Sequence, residues 1–455
     1  MTAIIGLAKR AKRLLRTLLS RCTKVYLSPV RRIDRVKTRE RVVAITFDDG
    51  PCAAACSPDT HGGRALTDVI LDTLSEFSAR GTFNVVGDTG ENYPDSAGAV
   101  STPYWSGTKF DHYPSFGDDA NGGAKNQPRI IRRIIDEGHE ISSHGYRHII
   151  FGESNRVYSA RKNLGSFDAA AEDLRRLHKL MAREYGYTLR LHRPPHYVDR
   201  IPDGTTSFDV LASLGYQYLG ASYDGCDWLP QSAGYDAEVR HTRAGLDALL
   251  ARNPDALCGQ IIFSMDGFNM ALRSPVADGL RGMLEALTAH GYRVVTLSEL
   301  ITLSPLSDLA PGEAGFDKLA WLLARGYTAA FRDNTARMQK PVTRGELIAM
   351  FAENAPARRV ELIEKDKTAR VLPDIPVTHP YSGAVIWAVE LGIIPDSAPL
   401  GADKPATHAL LCKLAANYGA QTAESSAALT RGAAIDTLYE LAVAGKIPPA
   451  LKTGE

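Results

Sequence analysis

Cysteine is scarce in this chain of 455 residues, six in all, and that scarcity removes a disulfide scaffold from consideration. Cys52 and Cys56 stand close enough in sequence to bridge, to serve as soft ligands or to pack. A bridge or packing is the expectation, since a single CxxxC is a weak metal signal. No apolar run approaches the ~18 residues that a membrane-spanning helix needs. Net charge is nearly absent as well, at +1, so nothing in the balance points to a nucleic-acid partner. What remains, 44% hydrophobic and 23% charged, is ordinary globular composition, and the length predicts two to four domains.

The small net charge hides a segregation. Residues 1–41 carry thirteen Lys or Arg against Asp34 and Glu40, which puts that segment near +11 and the remainder near −10. Ile4, Leu7, Ala8, Ala11, Leu15, Leu18 and Leu19 recur at helical spacing with Lys9, Lys12, Arg13 and Arg16 opposite them. Residues 1–40 therefore read as a basic amphipathic segment. It lacks the apolar core of a secretory signal, and either a peripheral contact with a membrane or packing on its own domain would suit it.

The stretch Val42 to Pro51, VVAITFDDGP, organises the middle of the chain. An apolar strand ends in adjacent carboxylates, Asp48 and Asp49, and Gly50-Pro51 turns the chain. Where a strand ends and bends, neighbouring side chains can both reach one pocket, one to hold a metal and one to take a proton. From Arg41 onward strands and helices alternate. Strands are expected at 42–47, 82–86, 139–142, 189–193, 217–222, 260–264 and 293–297, with helices between them. Seven such units predict a distorted seven-stranded (β/α) barrel, an α/β fold whose working residues gather at the C-terminal ends of the strands. His144 and His148 follow strand three, Arg193 and His196 end strand four, and Asp224, Asp227 and Trp228 follow strand five. All converge with Asp48 and Asp49 on one rim. Residues 87–127 break the rhythm, and Tyr93, Trp105, Phe110, Tyr113 and Phe116 within them suit either a sugar-facing wall or an insertion with a small core of its own.

These residues resemble the polysaccharide deacetylases, the chitooligosaccharide-deacetylase homology domain of carbohydrate esterase family four. Thr46-Phe47-Asp48-Asp49-Gly50-Pro51 looks like the first motif of that family, His144-Gly145-Tyr146-Arg147-His148 its HxxxH, Arg193-Pro194-Pro195-His196 its RxPY and Asp224-Gly225-Cys226-Asp227-Trp228 its DxxDW. The resemblance covers residues 41–302. It implies that Asp49, His144 and His148 bind a divalent metal, most simply zinc, that Asp48 is the general base, and that Arg193 orients and charge-pairs it. Trp228 and Tyr197 would contact the sugar. The last motif departs from the pattern. In Ile261-Ile262-Phe263-Ser264-Met265-Asp266, Met265 stands where a histidine would protonate the departing amine with Asp227 tuning it. Loss of a general acid costs ~10²–10⁴ in rate, so His196 is the expected replacement.

After Leu300 an internal repeat appears. Trp321 and Trp387, and Gly326 and Gly392, are each offset by 66, while Thr343-Arg344 and Thr407-His408 follow at 64, and a partial copy begins at Thr430-Arg431. Residues 303–447 are expected to form an all-α repeat domain that resembles S-layer homology repeats, with Arg344 and Arg431 meeting a secondary cell-wall polymer. The expected activity is metal-dependent removal of N-acetyl groups from an N-acetylglucosamine polysaccharide such as peptidoglycan or a chitin-like glycan. Hydrolysis of a small amide, or carbohydrate binding without catalysis, are the alternatives. The repeats point to the cell surface or wall. The N-terminus lacks a clear signal, which leaves cytoplasmic and membrane-peripheral placements open.

Overall fold

The computed structural model describes residues 25–88, 120–153, 163–269, 271–352, 370–422 and 425–447. The expected basic helix, Cys22 and the aromatic residues from Tyr93 to Phe116 lie outside them. The described residues divide into two compact units: one is Val30–Asp317 with Asn334–Ala336, and the other combines residues 25–29 with Lys318–Asp333 and the described residues from 337 to 447.

β1 (Leu27–Ser28) belongs to the second unit, and β2 (Arg32–Ile33) and β3 (Val42–Asp48) open the first. All seven residues of β3 are buried, as expected of a central parallel strand covered on both faces. α1 (Leu66–Glu76) leads to β4 (Thr82–Val85), α2 (Pro128–Asp136) to β5 (Glu140–Ser143), and α3 (Phe167–Tyr185) to β6 (Leu191–His192). α4 (Ser207–Leu214), β7 (Gln217–Leu219), β8 (Tyr223–Asp224), α5 (Tyr235–Arg252), β9 (Ile261–Met265), α6 (Val276–Ala289), β10 (Arg293–Val295) and α7 (Leu297–Leu303) complete the alternation. α3 shows how sharply such helices are bounded. The Ser166 hydroxyl accepts from the Ala169 amide at its start, and Gly186, at φ 63°, turns the chain at its end while its amide donates to the Ala182 carbonyl and that of Tyr187 to Met181.

The strands form one parallel sheet in the order β2-β7-β6-β5-β4-β3-β9-β8, with β10 beside the first half of β3. β7 lies near one flank and β8 at the other, yet they are joined only by residues 220–222. The step from Leu219 to Tyr223 spans about 14 Å at full extension. The sheet therefore has to curl until its flanks approach, while no ladder among the described residues joins β2 to β8. This corrects the expected seven-stranded barrel: all seven strands form, two more are present, and the sheet is curled and open. β2 and β8 are two residues long, too short to leave a periodic signal.

Alternation within β3 connects the floor of the curl to its rim. Val42 and Ala44 pack with Ile33, Leu219, Ile261 and Leu297 on the inner face, and two and four residues further on the same face carries Thr46 and Asp48. Val43, Ile45 and Phe47 point the other way, into the core under the helices. Cys52 and Cys56 are thiols buried in that core, so they pack rather than bridge.

The second unit contains most of α8 (Phe316–Ala324), together with α9 (Arg344–Phe351), α10 (Ser382–Glu390), α11 (His408–Asn417) and α12 (Arg431–Val443). Thr343, Thr407 and Thr430 cap α9, α11 and α12 in the same way, each hydroxyl accepting the amide three residues on. The unit is not all-α as expected, because β1 pairs with β11 (Ala330–Phe331) and β12 (Arg370–Leu372) with β13 (Ile375–Pro376). β11, β12 and β13 are connecting segments between helices whose amides find partners in short antiparallel pairs.

Candidate metal centre and reaction rim

β3 delivers Asp48 as its last residue, and the next, Asp49, takes a left-handed backbone at φ 78°. That break in the alternation lets both carboxylates reach the rim, where both are buried. Gly50 is required by a close approach, since a Cβ there would fall 1.9 Å from an Asp266 carboxylate oxygen. β5 supplies His144 from the loop at its end, and His148, at φ 54°, turns back beside it. Asp49 Oδ1 lies 3.1 Å from His144 Nε2 and 3.1 Å from His148 Nε2. All three side chains are buried, and their ligand atoms lie within 4.8 Å of one another.

This donor set fits a divalent metal ion. The Nδ1 of His144 lies 2.7 Å from the Arg193 carbonyl oxygen, which can only accept, so the ring proton sits there and the Nε2 lone pair faces Asp49. Two imidazoles and one carboxylate leave further coordination positions open, as catalytic sites do.

Asp48 is held from two sides. Its Oδ1 accepts from Arg193 Nη1 at 2.5 Å and from Asn84 Nδ2 at 2.6 Å, while its Oδ2 lies 3.7 Å from His144 Nε2. Arg193 is wholly buried and spans the curl. It donates to the Thr46 hydroxyl at 2.9 Å and to the Gly220 carbonyl at 2.6 Å, which ties β3 to the segment after β7. Burial works against its charge, but the Asp48 carboxylate outweighs it and holds the guanidinium above its usual value. The ring of Tyr197 sits 5.8 Å from that guanidinium and 5.1 Å from that of Arg32.

The remaining expected residues divide. His196, at φ 55°, lies edge-on to His148 with 5.6 Å between ring centroids, so it joins the cluster. Asp227 turns its Oδ2 to the end of β9, accepting from the Ser264 hydroxyl at 2.5 Å and the Met265 amide at 3.0 Å, and burial pushes it up to about 6. Trp228 is half-buried, its indole N–H donating to Asp224 at 3.3 Å. Met265 stands in register with Asp48 on the neighbouring strand.

Two residues escaped the sequence reading. Asn84 could have been found, because a polar residue in the strand TFNV falls in register with Asp48. Asp266 gave only its place after Met265. It is wholly buried, both its oxygens accepting from the Thr67 hydroxyl, and burial pushes it up to about 8. The folded protein thus favours the neutral acid. Because this value lies above that of an unfolded Asp, ~3.9, the stabilisation is complete below pH ~4 and is lost as pH rises through about 8. Metal-free wild type should lose stability, on the order of a few kcal/mol, between pH 5 and 8.5 relative to Asp266→Asn. Paired thermal melts at the two pH values check this, and parallel curves would refute it.

In the second unit Arg344 and Arg431 both follow a capping threonine but face differently. Arg344 lines a cavity of about 300 Å³ with Thr407, Leu410 and Lys413, and donates to the Leu400 carbonyl at 2.8 Å. Arg431 is 1% exposed, its guanidinium spent on the Ala329 carbonyl and Met350 sulfur above the Phe331 ring. The expectation that Arg431 meets a polymer is therefore corrected, since its charge is turned inward.

Residues 35–219 match the family model described as polysaccharide deacetylase, a span that holds Asp48, Asp49, His144, His148, Arg193 and His196. The chain is 24% identical over 268 residues to a peptidoglycan-N-acetylglucosamine deacetylase of Bacillus cereus, covering 58% of this chain and 91% of that one. It is 23% identical over 315 residues to one of Listeria monocytogenes, covering 68% of this chain and 49% of the relative, so it spans about half of that protein. A chitin deacetylase structure from Colletotrichum lindemuthianum aligns at 21% identity over 59% of this chain and 90% of the other, with a TM-score of 0.39. The curated relatives are thus named as polysaccharide N-deacetylases.

Proposed function

We propose that this chain is a zinc-dependent deacetylase that removes N-acetyl groups from an N-acetylglucosamine polysaccharide, peptidoglycan before chitin-like glycans. The observation that carries the reading is the meeting of Asp49, His144 and His148 within 4.8 Å, with the tethered Asp48 beside them. A divalent ion held there would polarise the amide carbonyl and make a water molecule easier to deprotonate near neutral pH. Asp48 Oδ2 takes that proton as the water oxygen bonds to the carbonyl carbon. The carbon–nitrogen bond then breaks, the departing nitrogen gains a proton, and acetate and a free amino sugar remain. Met265 has no proton to give, so that step falls to His196, whose ring lies against His148. Trp228 and Tyr197 offer aromatic surface to the sugar.

The cavity beside Arg344 and Lys413 supports a second part of the reading, in which the C-terminal unit holds an acidic secondary cell-wall polymer and keeps the enzyme at the cell surface. Catalysis is tested by zinc titration of chelated protein followed by acetate release from peptidoglycan. One equivalent should bind and restore release, and His148→Ala should lose both. Zinc binding that survives His148→Ala would refute the assigned ligand set, and binding without release would favour a carbohydrate-holding protein that lacks its acid.

A further inference from the structure

Asn84 lies on β4 in register with Asp48 of β3 and is 0% exposed. The contact at 2.6 Å must run from its Nδ2, because a carboxylate oxygen can only accept. Its other amide atom, Oδ1, is buried and finds no hydrogen-bond partner among the described residues. An unpartnered amide oxygen inside a sheet costs stability, and a side chain present only to fill this space would be apolar. The neighbours of Asn84 on its own strand show the alternative, since Phe83 and Val85 are both fully buried and apolar. Asn84 keeps half of its polarity unsatisfied while the other half is committed to one oxygen of Asp48.

The geometry at Asp48 shows what that commitment does. Oδ1 accepts two short hydrogen bonds, from Asn84 on β4 and from Arg193 just after β6, two strands on the same side of β3 in the sheet. Oδ2 accepts none among the described residues and is the oxygen turned toward His144, at 3.7 Å. With Arg193 alone the carboxylate could rotate about its Cβ–Cγ bond and exchange its oxygens, because one donor fixes one contact and not the plane. A second donor on the same oxygen, from another part of the sheet, fixes the plane. Resting on the deacetylase reading, we propose that Asn84 is a positioning residue for the general base: together with Arg193 it ties down Asp48 Oδ1 and so presents Oδ2 to the attacking water. Asn84 touches none of the metal ligands by hydrogen bond, so its effect falls on proton transfer and not on metal loading.

The test compares zinc-loaded wild type with Asn84→Leu and Asn84→Ala, which change the side-chain volume differently but both lack the donor. Acetate release from N-acetylglucosamine oligomers gives kcat and KM, zinc titration gives metal affinity, and thermal melting reports the fold. The expected result is a fall in kcat of ~10–100-fold in both variants, the scale of a lost hydrogen bond to a charged group. KM and zinc affinity should stay within about twofold, and Asn84→Leu should melt at or above the wild-type temperature. Unchanged kcat in either variant would overturn the proposal, as would a fall in the leucine variant that the alanine variant does not share, which would mark a packing role. A change in zinc affinity large enough to account for the lost turnover would overturn it too. Absence of acetate release from zinc-loaded wild type would instead remove the deacetylase reading, and this inference with it, before any variant is compared.

Discussion

Asp48→Asn is expected to lower acetate release by ~10²–10⁴-fold, the range for a lost general base, while zinc binding survives. The amide keeps the shape of the carboxylate and can still accept from Arg193 and Asn84 through its oxygen. Its nitrogen then takes the place of Oδ2 and cannot accept a proton. The proposed ligand atoms belong to Asp49, His144 and His148, so metal binding should remain. Turnover that persists at wild-type level would remove Asp48 from the mechanism, and loss of zinc along with activity would reassign it as a ligand.

Arg193→Met should damage both the fold and the chemistry. The guanidinium is wholly buried and bonds Asp48, Thr46 and the Gly220 carbonyl, so its removal strands a buried carboxylate and unpairs a backbone oxygen. Breaking a buried pair from one side costs about 3–5 kcal/mol. For a unit of this size that corresponds to a fall in melting temperature of roughly 10 °C. Adding Asp48→Asn removes the stranded charge, so the double variant should recover part of the stability and none of the activity. A double variant that melts no higher than Arg193→Met alone would show that the loss came from packing around the long side chain.

Several features of this molecule were legible in its residues for reasons that can be named. The run from Val42 to Asp48 is long, apolar and closed by a turn, and it forms the strand expected of it. Asp48, Asp49, His144 and Arg193 each follow or end a strand, and a parallel sheet gathers such positions on one edge. β2 and β8 were not legible, because two residues carry no period, and with them went the distinction between a closed barrel and a curled open sheet. Asn84 looked like one polar residue in a short strand until the register placed it against Asp48. Arg344 and Arg431 show the limit of a local motif most clearly. Both begin a helix after a capping threonine, and only the packing of α9 and α12 decides that one lines a cavity and the other points inward. Asp227, expected to tune an acid, binds the end of β9, where Met265 contributes an amide and no side-chain proton.

The most direct measurement of the central claim is acetate and free amine counted in the same sample, from N-acetylglucosamine oligomers and from peptidoglycan, with zinc-loaded wild type. Acetate and amine should appear in equal amounts and vanish on chelation. No acetate from any of these substrates, in protein shown to hold its metal, would contradict the assignment of this rim to amide hydrolysis.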